Sequence, residues 1–240
     1  MARYSGEGGD VIHIVSWFWG QKYKPYFITK LRDALQRNMT QPHTFNVVSP
    51  GAALKGQGFN SWSIADLPLL NEPGDVVRLR LFDWKWLEGH GIRKGDKVVD
   101  LDIDSIVTGP LDPLFDKFET FTILQHINTT NPNPYNGSIW MFKAGEYDSV
   151  WEDFSLEALR EVPKHSIYDD QAWVWAKIPN ANAWTPVEDG IYGFKKKGWP
   201  SGDALPDNAR LVVFPGRRDP RKLGHLDWVK KHWGTKYDTE

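Results

Sequence analysis

The sequence predicts an α/β protein in one domain. Two observations carry this expectation. Short β-branched apolar runs alternate with segments of helical periodicity from the N-terminal region onward, which is how α/β units read in sequence. No internal repeat or low-complexity linker divides the 240 residues, a length that suits one large core.

The elements follow in order. Asp10–Trp19 (DVIHIVSWFW) opens with a β-branched run and reads as a buried strand. In Pro25–Arg37, Phe27, Ile28, Leu31, Ala34 and Leu35 recur at helical spacing, and Pro25 suits a first helical turn. His43–Val48 is a second strand. Pro50–Pro73 reads as loop with a short helix. Asp75–Trp86 is apolar and aromatic, compatible with helix or strand, and Gly89–Gly95 is a turn. Lys97–Val107 alternates and is β-branched, which predicts a strand. Phe121–Gln125 and Ser138–Phe142 are further strands, separated by a turn over Asn131–Gly137. Ser149–Val162 reads as one helix ending before Pro163, and Asp169–Ala176 as a short helix opened by Asp. Leu211–Phe214 is a last strand and Leu226–Trp233 a terminal helix.

Composition narrows the class. A net charge of -2 gives no global pull toward nucleic acid or membrane. The absence of cysteine excludes disulfides, thiolate metal sites and a cysteine nucleophile. No stretch has signal-peptide or membrane-spanning character, so a cytoplasmic location is expected. Thirteen tryptophans are far more than usual; most should fill the core, and some offer faces on which a sugar or base can stack.

The chemistry centres on VVDLDIDSIVTGPLDPLF, Val98–Phe115. As a strand, this segment puts Asp100, Asp102 and Asp104 on one face. Buried carboxylates need a partner, a proton or a metal. Two carboxylates at a strand end can hold Mg2+ or Mn2+ together with phosphate oxygens.

LDIDSIVTGPLDPLF resembles the Asp-x-Asp region of GT-A glycosyltransferases, closest to the glycogenin-like and lipopolysaccharide hexosyltransferase group (family 8-like). That resemblance implies a Rossmann-like GT-A domain over residues 1–240, with a central mixed, mostly parallel sheet flanked by helices. It also implies a metal-dependent hexosyltransferase drawing on a nucleotide-sugar, with UDP-hexose expected and Mn2+ or Mg2+ held by Asp102 and Asp104. It extends along the chain. VIHIVSWFWG with Lys22 and Tyr23 matches the first nucleotide-binding unit, which assigns Val15, Ser16, Trp17 and Tyr23 to the base and ribose. VVRLRLF brings Arg78 toward the nucleotide-sugar. YNGSIWMF matches a sugar-pocket strand through Asn136. YDDQAWVW matches an Asp-Gln segment beside the donor sugar, which makes Asp170, Gln171 and Asp169 the catalytic candidates. LVVFPGRRDPRKL matches the diphosphate loop, with Gly216 in the loop and Arg217, Arg218 and Lys222 as a cationic clamp. The group usually carries a metal-binding His just before that Gly. Pro215 stands there in this sequence.

The expected acceptor is a hydroxyl, on a saccharide in the first instance. The basic run Arg217–Lys236, with seven Lys/Arg against two Asp, admits a hydroxymethylated base in DNA as an alternative acceptor. A non-catalytic nucleotide-sugar-binding protein is the alternative from another class, and Pro215 is its best support.

Overall fold

The computed structural model describes residues 11–51, 54–64, 68–128, 132–162 and 168–234. Its strands are β1 (Ile12–Trp17), β2 (His43–Ser49), β3 (Asn60–Ser63), β4 (Lys97–Leu101), β5 (Ile106–Val107), β6 (Thr122–Gln125), β7 (Tyr135–Lys143), β8 (Asn182–Trp184), β9 (Ile191–Gly193) and β10 (Leu211–Val213). Its α-helices are α1 (Tyr26–Asn38), α2 (Trp84–Gly89), α3 (Asp112–Asp116), α4 (Ser149–Glu152), α5 (Leu156–Glu161), α6 (Asp170–Lys177), α7 (Pro186–Asp189) and α8 (Asp227–Trp233).

Seven strands form the main sheet in the order β3-β2-β1-β4-β7-β6-β8. All neighbouring pairs are parallel except those made by β7, which runs antiparallel to both β4 and β6. A second sheet has the order β5-β10-β9.

Alternation along the strands sends side chains into two cores. Ile12, Ile14, Val99 and Leu101 face a core shared with α1, α8 and the small sheet. Val15, Trp17, Val98, Trp140 and Phe142 face the other, beneath the 3-10 helix Val76–Phe82 and helices α2, α4 and α6. Asp100 shares the parity of Val98, so it points into this second core. Seven of the thirteen tryptophans are buried: Trp17, Trp62, Trp140, Trp173, Trp184, Trp228 and Trp233. Aromatic filling of the core is therefore their main use.

Three expectations need correction. Lys97–Val107 is not one strand. β4 ends at Leu101, the chain turns over Asp102–Ser105, and β5 joins the other sheet. The Asp102 amide donates to the Ser138 carbonyl at 2.9 Å and the Ser105 amide donates to the Asp102 carbonyl at 3.1 Å, which closes the turn. These are backbone bonds, one of them to another strand, and alternation of side chains could not reveal the departure. The three acids therefore do not line one strand face.

Ser149–Val162 is two helices, because the Ser155 hydroxyl accepts from the Ala158 amide at 3.0 Å and starts a new helix. The turn expected over Asn131–Gly137 gives way to β7 from Tyr135 onward, Asn131 itself lying outside the described residues. Asp75–Trp86, left open between helix and strand, is a 3-10 helix followed by α2.

Candidate active site

A cleft of about 400 Å³ opens at the C-terminal ends of β1 and β4. Open α/β sheets commonly bind ligands there. Its walls come from four segments: Trp17 to Tyr23 after β1, Asp75 and Arg78, Leu101 to Asp104, and Phe214 to Gly216 after β10.

Arg78 organises the floor. The 3-10 helix aims its side chain, buried to 5 % exposure, at β4 and β7. Nε donates to Asp100 Oδ2 at 2.9 Å and Nη1 to Asp102 Oδ1 at 3.2 Å. Nη2 donates to Asp100 and to the Gly137 carbonyl. Asp170 Oδ2 lies 3.6 Å from Nε, and the guanidinium sits 4.6 Å from the Trp140 ring centroid. Burial works against the Arg78 charge, but Asp100, Asp170 and Asp102 outweigh it and hold the proton more tightly than usual.

The Gly137 carbonyl reaches Arg78 because β7 bulges. Its register against β6 jumps from Trp140 to Asn136, leaving Gly137, Ser138 and Ile139 unpaired on that side. Asn136 Oδ1 accepts from the Ser138 amide at 3.1 Å and helps shape the bulge.

The carboxylates divide into two sets. Asp100 is fully buried and also accepts from Trp17 Nε1 at 3.0 Å. Burial pushes it up to about 6, although Arg78 pulls the other way. Asp170 is buried behind Arg78, Oδ2 has no hydrogen-bond partner, and burial pushes it well above the carboxylate range. Asp102 and Asp104 instead border the cleft. The Asp102 side chain is 31 % exposed; its pKa is raised by poor solvation, with Arg78 opposing. Asp104 is pushed to about 6 by burial and then by Asp102. Asp104 Oδ2 accepts from the Tyr23 hydroxyl at 2.6 Å and lies 3.6 Å from Lys22 Nζ. Burial and the two acids raise the Tyr23 hydroxyl above its ordinary value.

Six of the residues expected from sequence meet at the cleft wall: Trp17, Tyr23, Arg78, Asp102, Asp104 and Gly216. The others lie elsewhere. Val15 is core, and Ser16 donates to the Leu101 carbonyl at 2.6 Å, tying β1 to β4. Asp169 caps α6, accepting from the Ala172 amide at 2.8 Å. Gln171 Nε2 donates to Asp169 Oδ2 at 3.1 Å, and its side chain lies beside Gly137. Arg217 and Lys222 are exposed outside the cleft wall; Arg218 donates to the Pro215 and Lys195 carbonyls at 3.4 Å.

Sequence reasoning missed Trp19, Gln21, Asp75 and Phe214 in the wall, and named Lys22 without assigning it a role. One signal was available for Asp75. It follows Gly74, whose φ of +80° and close approach to Tyr168 O, 2.5 Å from where a Cβ would stand, demand glycine. The Gly74 carbonyl accepts from the Asp170 amide at 2.9 Å, so this turn docks α6 onto the Arg78 segment.

No known family model and no curated protein matches this sequence. Solved structures do match. The galactosyltransferase LgtC, in complex with donor and acceptor sugar analogs, aligns with a TM-score of 0.56 at 15% identity, over 93% of this chain and 92% of that one. This is a GT-A glycosyltransferase fold. GlyE of Streptococcus pneumoniae TIGR4, a glycosyltransferase in its apo form, aligns at 0.58 and 13% identity over 87% of this chain and 55% of its own. The bifunctional glycosyltransferase WbbM aligns at 0.55 and 12% identity, over 90% of this chain and 48% of its own.

Among the described residues, no group of three or more His, Asp or Glu could hold a metal ion. Pro215 lines the cleft and offers no side-chain ligand. Asp102 and Asp104 form a candidate donor set of two carboxylates. That set suits a hard cation such as Mg2+ or Mn2+, which completes its shell with water and phosphate oxygens. The charge balance points the same way. Among the described residues of the cleft wall, Asp75, Asp102 and Asp104 stand with two cations, Lys22 and Arg78, and Arg78 is already shared with Asp100 and Asp170.

Proposed function

We propose that the chain is a hexosyltransferase that moves a sugar from a nucleotide-sugar, UDP-hexose first, to a saccharide hydroxyl. The observation that carries this reading is the pair Asp102 and Asp104 beside the cleft, in a fold shared with LgtC, WbbM and GlyE.

Each residue then has a task. Asp102 and Asp104 would hold Mn2+ or Mg2+, which when bound neutralises charge developing on the diphosphate leaving group. Trp19, whose ring stands 6.2 Å edge-to-face from the buried Trp17 at the end of β1, offers the apolar surface against which the base and ribose lie. Tyr23 fixes Asp104 through its hydroxyl. Arg78 fixes Asp102 and presents its guanidinium on the side of β7, where Gly137 and Gln171 approach. Gln171, with Asn136 supporting the bulge, is the proposed partner for donor-sugar hydroxyls. Asp170 is buried, and its proposed role is to position Arg78 rather than to take a proton from an acceptor. Asp169 supports α6 and orients Gln171.

Incubation with UDP-glucose or UDP-galactose and a panel of saccharide acceptors tests the reading. Release of UDP matched by glycosylated acceptor is expected. Binding of the donor with no release, with or without acceptor, would leave only a nucleotide-sugar-binding protein.

A further inference from the structure

Among the described residues, two cationic side chains line the cleft, Arg78 and Lys22, and they stand in opposite situations. The Arg78 side chain is 6 % exposed and occupied by Asp100, Asp102, Asp170 and Gly137. Lys22 comes from the loop after β1, and its side chain is 47 % exposed. Its ammonium stands 3.6 Å from Asp104 Oδ2 and 4.6 Å from the Tyr23 ring centroid. At 3.6 Å the contact with Asp104 is an ion pair rather than a tight hydrogen bond, so the ammonium retains donors for an incoming anion. The clamp expected from sequence does not compete for this place: Arg217, Arg218 and Lys222 are absent from the cleft wall. Pro215, also in the cleft wall, contributes no side-chain ligand.

We infer that Lys22 is a built-in cation of the diphosphate subsite, binding the nucleoside diphosphate directly and supplying attraction that does not depend on a metal. The inference rests on the nucleotide-sugar reading and goes beyond it. A lysine ammonium is a compact point charge on a flexible stem, suited to phosphate oxygens whose position shifts between donor and released diphosphate. Beside Asp104 it meets the same phosphate oxygens that the carboxylate pair recruits through a cation. Part of the positive charge that a third metal ligand would help secure is thereby carried by the chain itself.

The test compares binding of UDP and of uridine to the unaltered protein, Lys22→Met and Lys22→Arg by calorimetry, in EDTA and in saturating Mn2+. In EDTA, Lys22→Met should weaken UDP binding at least tenfold, as expected for loss of a charge-assisted contact. In Mn2+ the loss should shrink to a few-fold. Uridine, which has no phosphate, should bind all three proteins alike, and Lys22→Arg should retain most of the UDP affinity. If Lys22→Met binds UDP as the unaltered protein does in EDTA, or loses uridine equally, the inference is overturned while the site reading stands. If the unaltered protein binds neither ligand under either condition, both fall together.

Discussion

Asp100 and Asp104 come from the same run of alternating residues, yet the protein uses them in opposite ways. Asp100 is sealed in the core, with Arg78 and Trp17 as partners. Asp104, itself only 2 % exposed, lines the wall of the cleft, held by a tyrosine hydroxyl and approached by a half-exposed lysine. What separates them is the end of β4 at Leu101. Before it, a carboxylate has to be neutralised by the protein. After it, the carboxylate can face a ligand. In the proposed reading the inner acids build the site and the outer acids operate it, and the two sets should respond differently to mutation.

The largest expected effect is on the inner set. Arg78→Met leaves Asp100 and Asp170 buried without their cation, which should cost about 3–5 kcal/mol. Urea unfolding measures this directly. Near-native stability would mean that Arg78 serves ligands rather than the fold. In the outer set, Asp104→Asn should lower metal-dependent UDP binding at least tenfold while leaving the unfolding midpoint nearly unchanged. A large stability loss in this variant would erase the distinction between the two sets. Trp17→Phe removes the indole N–H that Asp100 accepts, and should cost about 1.5 kcal/mol in the same unfolding experiment.

The smallest effect is a pH dependence. Burial pushes Asp169 up to about 6, with the Ala172 amide and Arg78 opposing. Its protonated form is therefore favoured in the folded state. Stability from this group is present below its unfolded value, ~3.9, and is lost as pH rises through the folded value. Asp169→Asn keeps a helix cap and removes the titration. It should flatten the fall in stability between acid and neutral pH by on the order of 1 kcal/mol. Unfolding curves at both pH values compare the slopes, and an unchanged slope would assign the dependence to other carboxylates.

Much of the fold was legible because its larger elements carry periodicity. The stripe Phe27, Ile28, Leu31, Ala34 and Leu35 is the buried face of α1, and the β-branched run Ile12–Trp17 is β1. Asn60–Ser63, Asn182–Trp184 and Ile191–Gly193 were not legible, since three or four residues are too few to show a period. The cleft was legible in part. Asp102, Asp104, Tyr23 and Arg78 stood out in sequence, but the pairing of Arg78 with Asp100 requires a helix and a strand distant in the chain to meet. The alternation that flagged Asp100, Asp102 and Asp104 also misled, because the turn after Leu101 depends on the Asp102 amide reaching the Ser138 carbonyl of another strand. The basic residues after Pro215 matched a diphosphate loop in type and spacing, yet Arg217, Arg218 and Lys222 lie outside the cleft wall.

The most direct test of the central claim is a calorimetric titration of UDP-glucose, UDP-galactose, UDP and GDP-mannose into the unaltered protein and Asp104→Asn, with Mn2+ and with EDTA. The account predicts that one nucleotide class binds, more tightly with Mn2+ than with EDTA, and that Asp104→Asn loses the metal-dependent part. Failure of all four to bind, or binding indifferent to both Mn2+ and Asp104, would contradict it.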